Sequence, residues 1–203
     1  MLHITNHSGK LEGLRSISSC VALNPYCKER AKNPATICHH CYATRYVGMR
    51  DALRRHLECN TNELQALIEW DELPIIADVL FRFESFGDTL SATHAGNYYR
   101  IAAKNVFTTF AAWTKNVEHY ETAHETICSK PDNFILIYSD PVLNGHSDAW
   151  YEAFFEAHPL VDKIFVVMDK DHADGISCGK RKCKACLLCY TKSGARIIRE
   201  VLK

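Results

Sequence analysis

Asn133-Phe134-Ile135-Leu136-Ile137-Tyr138-Ser139 reads as a strongly apolar strand, and a helical pattern follows it over residues 147–157. The same alternation recurs on both sides. Residues 76–83 (Ile-Ala-Asp-Val-Leu-Phe-Arg-Phe) predict a strand, then a polar turn and a helix over 94–104. Residues 105–111 (Asn-Val-Phe-Thr-Thr-Phe-Ala) predict another, then a helix over 114–126, and residues 163–168 (Lys-Ile-Phe-Val-Val-Met) a further strand. Upstream, residues 13–19 form a weaker strand. Tyr46, Met49, Leu53 and Leu57 recur at helical spacing over 43–57. Asn60 and Glu63 resemble the cap pair opening another helix, with Leu64, Leu67 and Ile68 on its face. The end of the chain, 193–202, is predicted helical.

Strands alternating with helices imply right-handed βαβ units and a parallel sheet. The expected fold is α/β, one domain over 1–203 forming a partial or small (β/α) TIM-like barrel. Cysteine-rich loops at 20–41 and 169–192 would lie at its C-terminal face. An open doubly wound sheet is the alternative. No Gly-x-Gly-x-x-Gly follows any strand, which argues against dinucleotide binding.

Composition narrows the function classes. The chain has 203 residues, with 24 Lys plus Arg against 24 Asp plus Glu, so no global field favours nucleic acid or a membrane. No apolar run approaches the roughly 20 residues that cross a bilayer. The first residues, Met1 to His7, lack the basic and apolar architecture of a signal segment, so a cytoplasmic location is expected. There thiols stay reduced, and the ten cysteines are not expected to form disulfides.

Eight of the ten lie in two segments. Cys178, Cys183, Cys186 and Cys189 are spaced C-x4-C-x2-C-x2-C, and the first three match the spacing of plant-type ferredoxins. Zinc ribbons use four cysteines too, usually as two separated C-x2-C knuckles. A [4Fe-4S] cluster is the leading reading and zinc the alternative. Lys180, Arg181, Lys182, Lys184, Lys192, Arg196 and Arg199 surround this group, as local charge compensation or as a phosphate-binding patch. In the other segment Cys38-His39-His40-Cys41 is a C-x2-C, with Cys27 and Cys20 upstream. Cys27, Cys38 and Cys41 are expected ligands; Cys20 is either a fourth or a buried thiol. Three thiolates alone would leave one iron open, as catalytic metal sites keep a position free. Cys59 and Cys128 are expected to be small buried hydrophobes at helix ends.

In parallel α/β folds ligands bind at the carboxyl ends of the strands. Glu84, Asp88, Lys115, Asn116 and Ser139 follow predicted strands and are the candidate catalytic residues, positioning a small molecule.

The Cys-His-His-Cys-Tyr-Ala element at 38–43 resembles that of a family of cysteine-rich phage and prophage proteins of uncharacterised function. So do Phe83-Glu84-Ser85-Phe86-Gly87-Asp88, Trp113-Thr114-Lys115-Asn116 and the closing cysteine run. The resemblance covers most of the chain; it implies a phage protein in the host cytoplasm and no activity. More distantly, the chain is similar to radical SAM enzymes. That likeness implies a partial (β/α) barrel, a three-cysteine [4Fe-4S] site after the first strand and an auxiliary C-terminal cluster. This chain has C-x10-C-x2-C in place of their C-x3-C-x2-C, and no Gly-Gly-Glu unless Glu84, Ser85 and Gly87 replace it. Both departures count against SAM binding.

The expected function is that of an iron–sulfur protein, a redox or radical-type enzyme using a small-molecule substrate and an electron donor. The alternative is a metal-stabilised nucleic-acid-binding or regulatory module. No His-Glu-x-x-His motif is present.

Overall fold

The computed structural model describes residues 1–202. Its centre is a seven-stranded sheet: β1 (Thr5–Asn6), β2 (Arg15–Ile17), β3 (Leu80–Phe83), β4 (Thr109–Thr114), β5 (Phe134–Ser139), β6 (Lys163–Met168) and β7 (Ile197–Val201). The strands stand side by side in chain order, β1 antiparallel to β2 and every other neighbouring pair parallel. A doubly wound sheet reverses its strand order at a switch point. This one does not, so the doubly wound alternative is excluded. The sheet is open, since β1 and β7 are its two edges.

The helices after β3, β4 and β5 are α4 (Ala92–Lys104), α5 (Val117–Thr126) and α6 (Asp148–Ala157). All three lie on one face. Phe81, Phe83, Phe110, Phe134, Leu136 and Ile164 project to that side. They pack in one core with Tyr98 and Tyr99 of α4, Tyr120 of α5 and Tyr151 and Phe155 of α6. Alternate residues of the same strands project to the other face, where Ala111, Trp113, Ile135 and Ile137 form a second core with Leu14 and Tyr190. The cover over that inner face is the C-terminal cysteine segment, whose Cys183 and Cys189 pack against it.

Caps set where several helices begin. Ser91 accepts from the His94 amide and Ser147 from that of Trp150. Asn24 accepts from the amides of Tyr26 and Cys27 and, with Pro25, opens α1 (Pro25–Ala31) inside the first cysteine loop.

Some expectations need correction. The helix over 43–57 is two, α2 (Tyr42–Met49) and α3 (Asp51–Glu63), broken at Arg50. Asn60 does not cap a following helix; it is buried in the last turn of α3, bonded to His3 and to the Ser18 carbonyl. The predicted terminal helix is instead β7. Ile197, Ile198 and Val201 satisfy helical spacing, but the edge of β6 offers unpaired backbone, and pairing with it buries Ile198 completely. Strand β4 begins later than expected because the Asn105 side chain is spent bonding Ile76 and Pro74, which turns the chain first. Cys59 is exposed within α3 and does not end it, whereas Cys128 is half-buried against the main core.

Candidate metal and substrate site

The first cysteine loop crosses the carboxyl ends of the strands. It is pinned there by the Ile37 amide, which donates to the Pro141 carbonyl beyond β5 (2.9 Å), and by a bridge between Thr36 and Val142. This carries Cys27 and Cys38 into the neighbourhood of Lys115, on the loop after β4. Burial disfavours the Lys115 charge, but Cys38, Asp88, Cys27 and Cys41 outweigh it and raise the pKa of the lysine. Burial likewise pushes the thiols of Cys27 and Cys38 up. Three cysteines eleven and three positions apart thus share one environment with Lys115, and Arg30 acts on Cys38 as well.

Cys20 lies in the small core against which Cys27 and Cys41 pack. It is fully buried among Val21, Ala43, Val47 and Leu57, its amide held by Thr61 Oγ1 (2.7 Å). Burial raises its pKa, and Glu58 and Arg54 act on it through space.

The C-terminal four enclose a small pocket of about 20 Å³ together with Lys10 and Tyr190. The Cys178 amide donates to the Arg199 carbonyl (2.9 Å), which ties the segment to β7. Short α7 (Cys183–Cys186) ends at Leu187 in the left-handed region (φ 61°), turning the chain so that Cys189 faces back. Burial pushes the Cys189 thiol up to about 12. Distant cations surround these sulfurs. Lys10 Nζ donates to Cys178 Sγ (2.9 Å) and to Glu200 (2.7 Å). Arg82, on β3, faces Cys183 and Cys189. Lys163, on β6, is fully buried near Cys189, its pKa lowered by burial and its ammonium donating to the Ala195 carbonyl (2.9 Å).

The local basic residues serve other partners. Lys182 pairs with Glu12 (2.7 Å), Arg199 with Asp148 (3.2 Å), Arg196 with Glu152 (3.8 Å) and Lys192 with Asp132 (4.0 Å). Arg181, by contrast, lines the pocket of the four cysteines, and Lys10, Arg82 and Lys163 join it from elsewhere in the chain, with no signal in the sequence because each is isolated from any cysteine.

Both groups open on a single cleft of about 780 Å³. Cys27, Cys38 and Cys41 line it, and so do Cys178, Cys183 and Cys189. Lys115, Asp88 and Ser139 also lie in its wall, and Lys115 Nζ donates to Ser139 Oγ (3.3 Å). Of the other two strand-end candidates, Glu84 lies in the cleft wall as well, with its carboxylate engaged by the scaffold. Glu84 takes a left-handed backbone (φ 58°) at the end of β3. Its carboxylate accepts from the Ser19 amide (3.1 Å), Ser19 Oγ (3.0 Å) and Tyr98 Oη (2.6 Å). His94 Nε2 stands 3.1 Å from it, off the hydrogen-bonding direction. Glu84 thus ties β2, β3 and α4 together and has no carboxylate oxygen left to replace a Gly-Gly-Glu element. Asn116 is buried, donates to the Thr89 carbonyl (3.3 Å) and is absent from the cleft wall. Asp88 accepts from Thr114 Oγ1 (2.6 Å) and from the amides of Thr89 and Lys115 (2.8 Å each), so it holds the loop that presents Lys115.

Around one zinc ion, four thiolates at about 2.3 Å stand about 3.8 Å from one another. Among the described residues no three His, Cys, Asp or Glu side chains are drawn together tightly enough for one ion. A four-iron cubane is wider and asks for sulfurs set further apart around a cavity, with cations nearby to offset its negative charge.

No helix among the described residues is long and apolar enough to cross a membrane. Comparison of the chain with protein-family models, with curated proteins and with solved structures found no match.

Proposed function

We propose that this chain is an iron–sulfur enzyme of redox or radical type, acting on a small molecule held in the cleft between two clusters. The observation that carries this reading is that two cysteine groups far apart in the sequence line one 780 Å³ cleft at the carboxyl ends of parallel strands. Its volume lies in the usual range for small-molecule sites. Strands in chain order with α4, α5 and α6 on one face support a partial (β/α) barrel. On this reading Cys27, Cys38 and Cys41 hold a [4Fe-4S] cluster with one iron left for the bound molecule. Cys178, Cys183, Cys186 and Cys189 hold a fully ligated second cluster. The clusters supply one-electron chemistry that side chains lack; an external electron donor completes each turnover. Lys115 balances the charge of the three thiolates, Ser139 orients Lys115, and Asp88 positions the loop that carries it.

Anaerobic purification with iron and sulfide analysis tests the reading. The expected result is a brown protein with about eight iron and eight sulfide per chain, four for each cubane. A colourless protein holding stoichiometric zinc would sink it.

A further inference from the structure

Among the described residues six buried side-chain polar atoms have no hydrogen-bond partner, and three of them belong to residues in the cleft wall: Arg82 Nε, Ser85 Oγ and Tyr190 Oη. Buried polar groups in folded proteins are nearly always paired, so three orphans in one cleft call for a ligand. All three can donate a hydrogen bond. Two of them adjoin through a tryptophan. The Arg82 guanidinium lies on the Trp113 ring, 3.6 Å from its centroid, and Trp113 meets Tyr190 edge-on. The stacking fixes the plane of the guanidinium, which leaves its edge to be matched by a planar acceptor.

The charges of the wall point the same way. Its carboxylates are Glu84, Asp88 and Glu200. Glu84 is bound to Ser19 and Tyr98, Asp88 to Thr114 and the Lys115 amide, and Glu200 to Lys10. Among the described residues no ion pair engages Arg82, and the hydrogen bond of the Lys115 ammonium goes to a serine. The cleft therefore offers cations and donors, while its acidic groups are already occupied.

We propose that the cleft takes a small molecule bearing an oxyanion, a carboxylate or a phosphate, seated on Arg82 with Tyr190 and Ser85 donating beside it. This rests on the cleft being the substrate site of the proposed enzyme. It adds the chemical class of the substrate.

Equilibrium dialysis of the anaerobically purified full chain against radiolabelled inorganic phosphate and acetate tests it. Saturable binding of at least one anion is expected, and the preferred one separates phosphate from carboxylate. Arg82→Gln should weaken that binding about tenfold or more, as expected for loss of a charged hydrogen-bonding partner. Arg82→Lys, which keeps the charge but not the fork, should fall between. Lys180→Gln, on the exposed part of the C-terminal segment, should leave affinity unchanged. Should Arg82→Gln fail to fold, Arg82→Lys and the Ser85→Ala/Tyr190→Phe double variant decide, and undiminished affinity in both overturns the proposal. It is also overturned if the wild type binds neither anion saturably. The competing acceptor is the C-terminal cluster itself. If Arg82→Gln shifts that cluster's reduction potential and leaves anion affinity alone, Arg82 serves the cluster and the proposal fails. Iron counted on the same samples separates the two ideas: an iron-free protein that binds an anion through Arg82 removes the iron–sulfur reading and keeps this one.

Discussion

Cys178, Cys183, Cys186 and Cys189 are gathered by sequence, at C-x4-C-x2-C-x2-C, while Cys27, Cys38 and Cys41 are gathered by folding, across a C-x10-C-x2-C loop. The first group is part of a core: Cys183, Cys189 and Tyr190 cover the inner face of the sheet over Trp113, Ile135 and Ile137. The second belongs to a loop laid across strand ends, with Cys27 and Cys41 touching only the small satellite core around Val47 and Leu57. The cations differ as well. Lys10 bonds directly to a C-terminal sulfur, whereas Lys115 reaches a serine and acts on its thiols through space. A segment that seals a core is suited to a structural or relay cluster. A loop at the mouth of a cleft is suited to a cluster that meets a substrate.

The largest effect should come from breaking the sealed site. Cys183→Ser/Cys186→Ser is expected to abolish the C-terminal cluster and undock its segment from the sheet. Each large apolar side chain re-exposed costs about 1.5–3 kcal/mol, so the melting temperature should fall by about 10 °C. Calorimetry checks this; an unchanged melting temperature would show that the segment docks without its metal. Cys38→Ser should instead remove about half the iron and move the melting temperature by less than about 3 °C. Loss of all the iron in either variant would mean one shared cluster and erase the distinction between the sites.

Cys20→Ser sharpens the boundary of the loop site. Its hydroxyl would sit in an apolar core, costing about 1–3 kcal/mol in urea unfolding while iron content stays at the wild-type level. Iron loss matching that of Cys38→Ser would make Cys20 a ligand. The smallest effect is electronic. Lys10→Met removes the hydrogen bond to Cys178 and should lower the reduction potential of the C-terminal cluster, leaving the other unchanged. Potentiometry followed by electron paramagnetic resonance distinguishes the two; equal shifts would show that Lys10 acts on the whole cleft.

Much of this organisation was legible before folding. The five parallel strands β2 to β6 were all anticipated, because buried parallel strands are apolar runs flanked by polar turns. Strand β7 was not. Ile197, Ile198 and Val201 fit a helix locally, and the open edge of β6 decided otherwise. The closing cysteines form one group by spacing alone, and in the fold all four line one pocket. The roles of the strand-end polar residues were not legible, since Glu84, Asp88, Lys115 and Asn116 look alike in sequence; Glu84 and Asn116 proved to be tied up in the scaffold.

The sequence by itself determined the alternation of strands and helices and the two groups of thiols. Both are properties of neighbouring residues, periodicity in one case and spacing in the other. Only folding brought Lys10, Arg82 and Lys163 to face the C-terminal sulfurs. It also decided that both groups open on one cleft. The physical reason is range: electrostatic and hydrogen-bonding partners are chosen by distance in space, and a parallel sheet brings together strand ends that lie far apart along the chain.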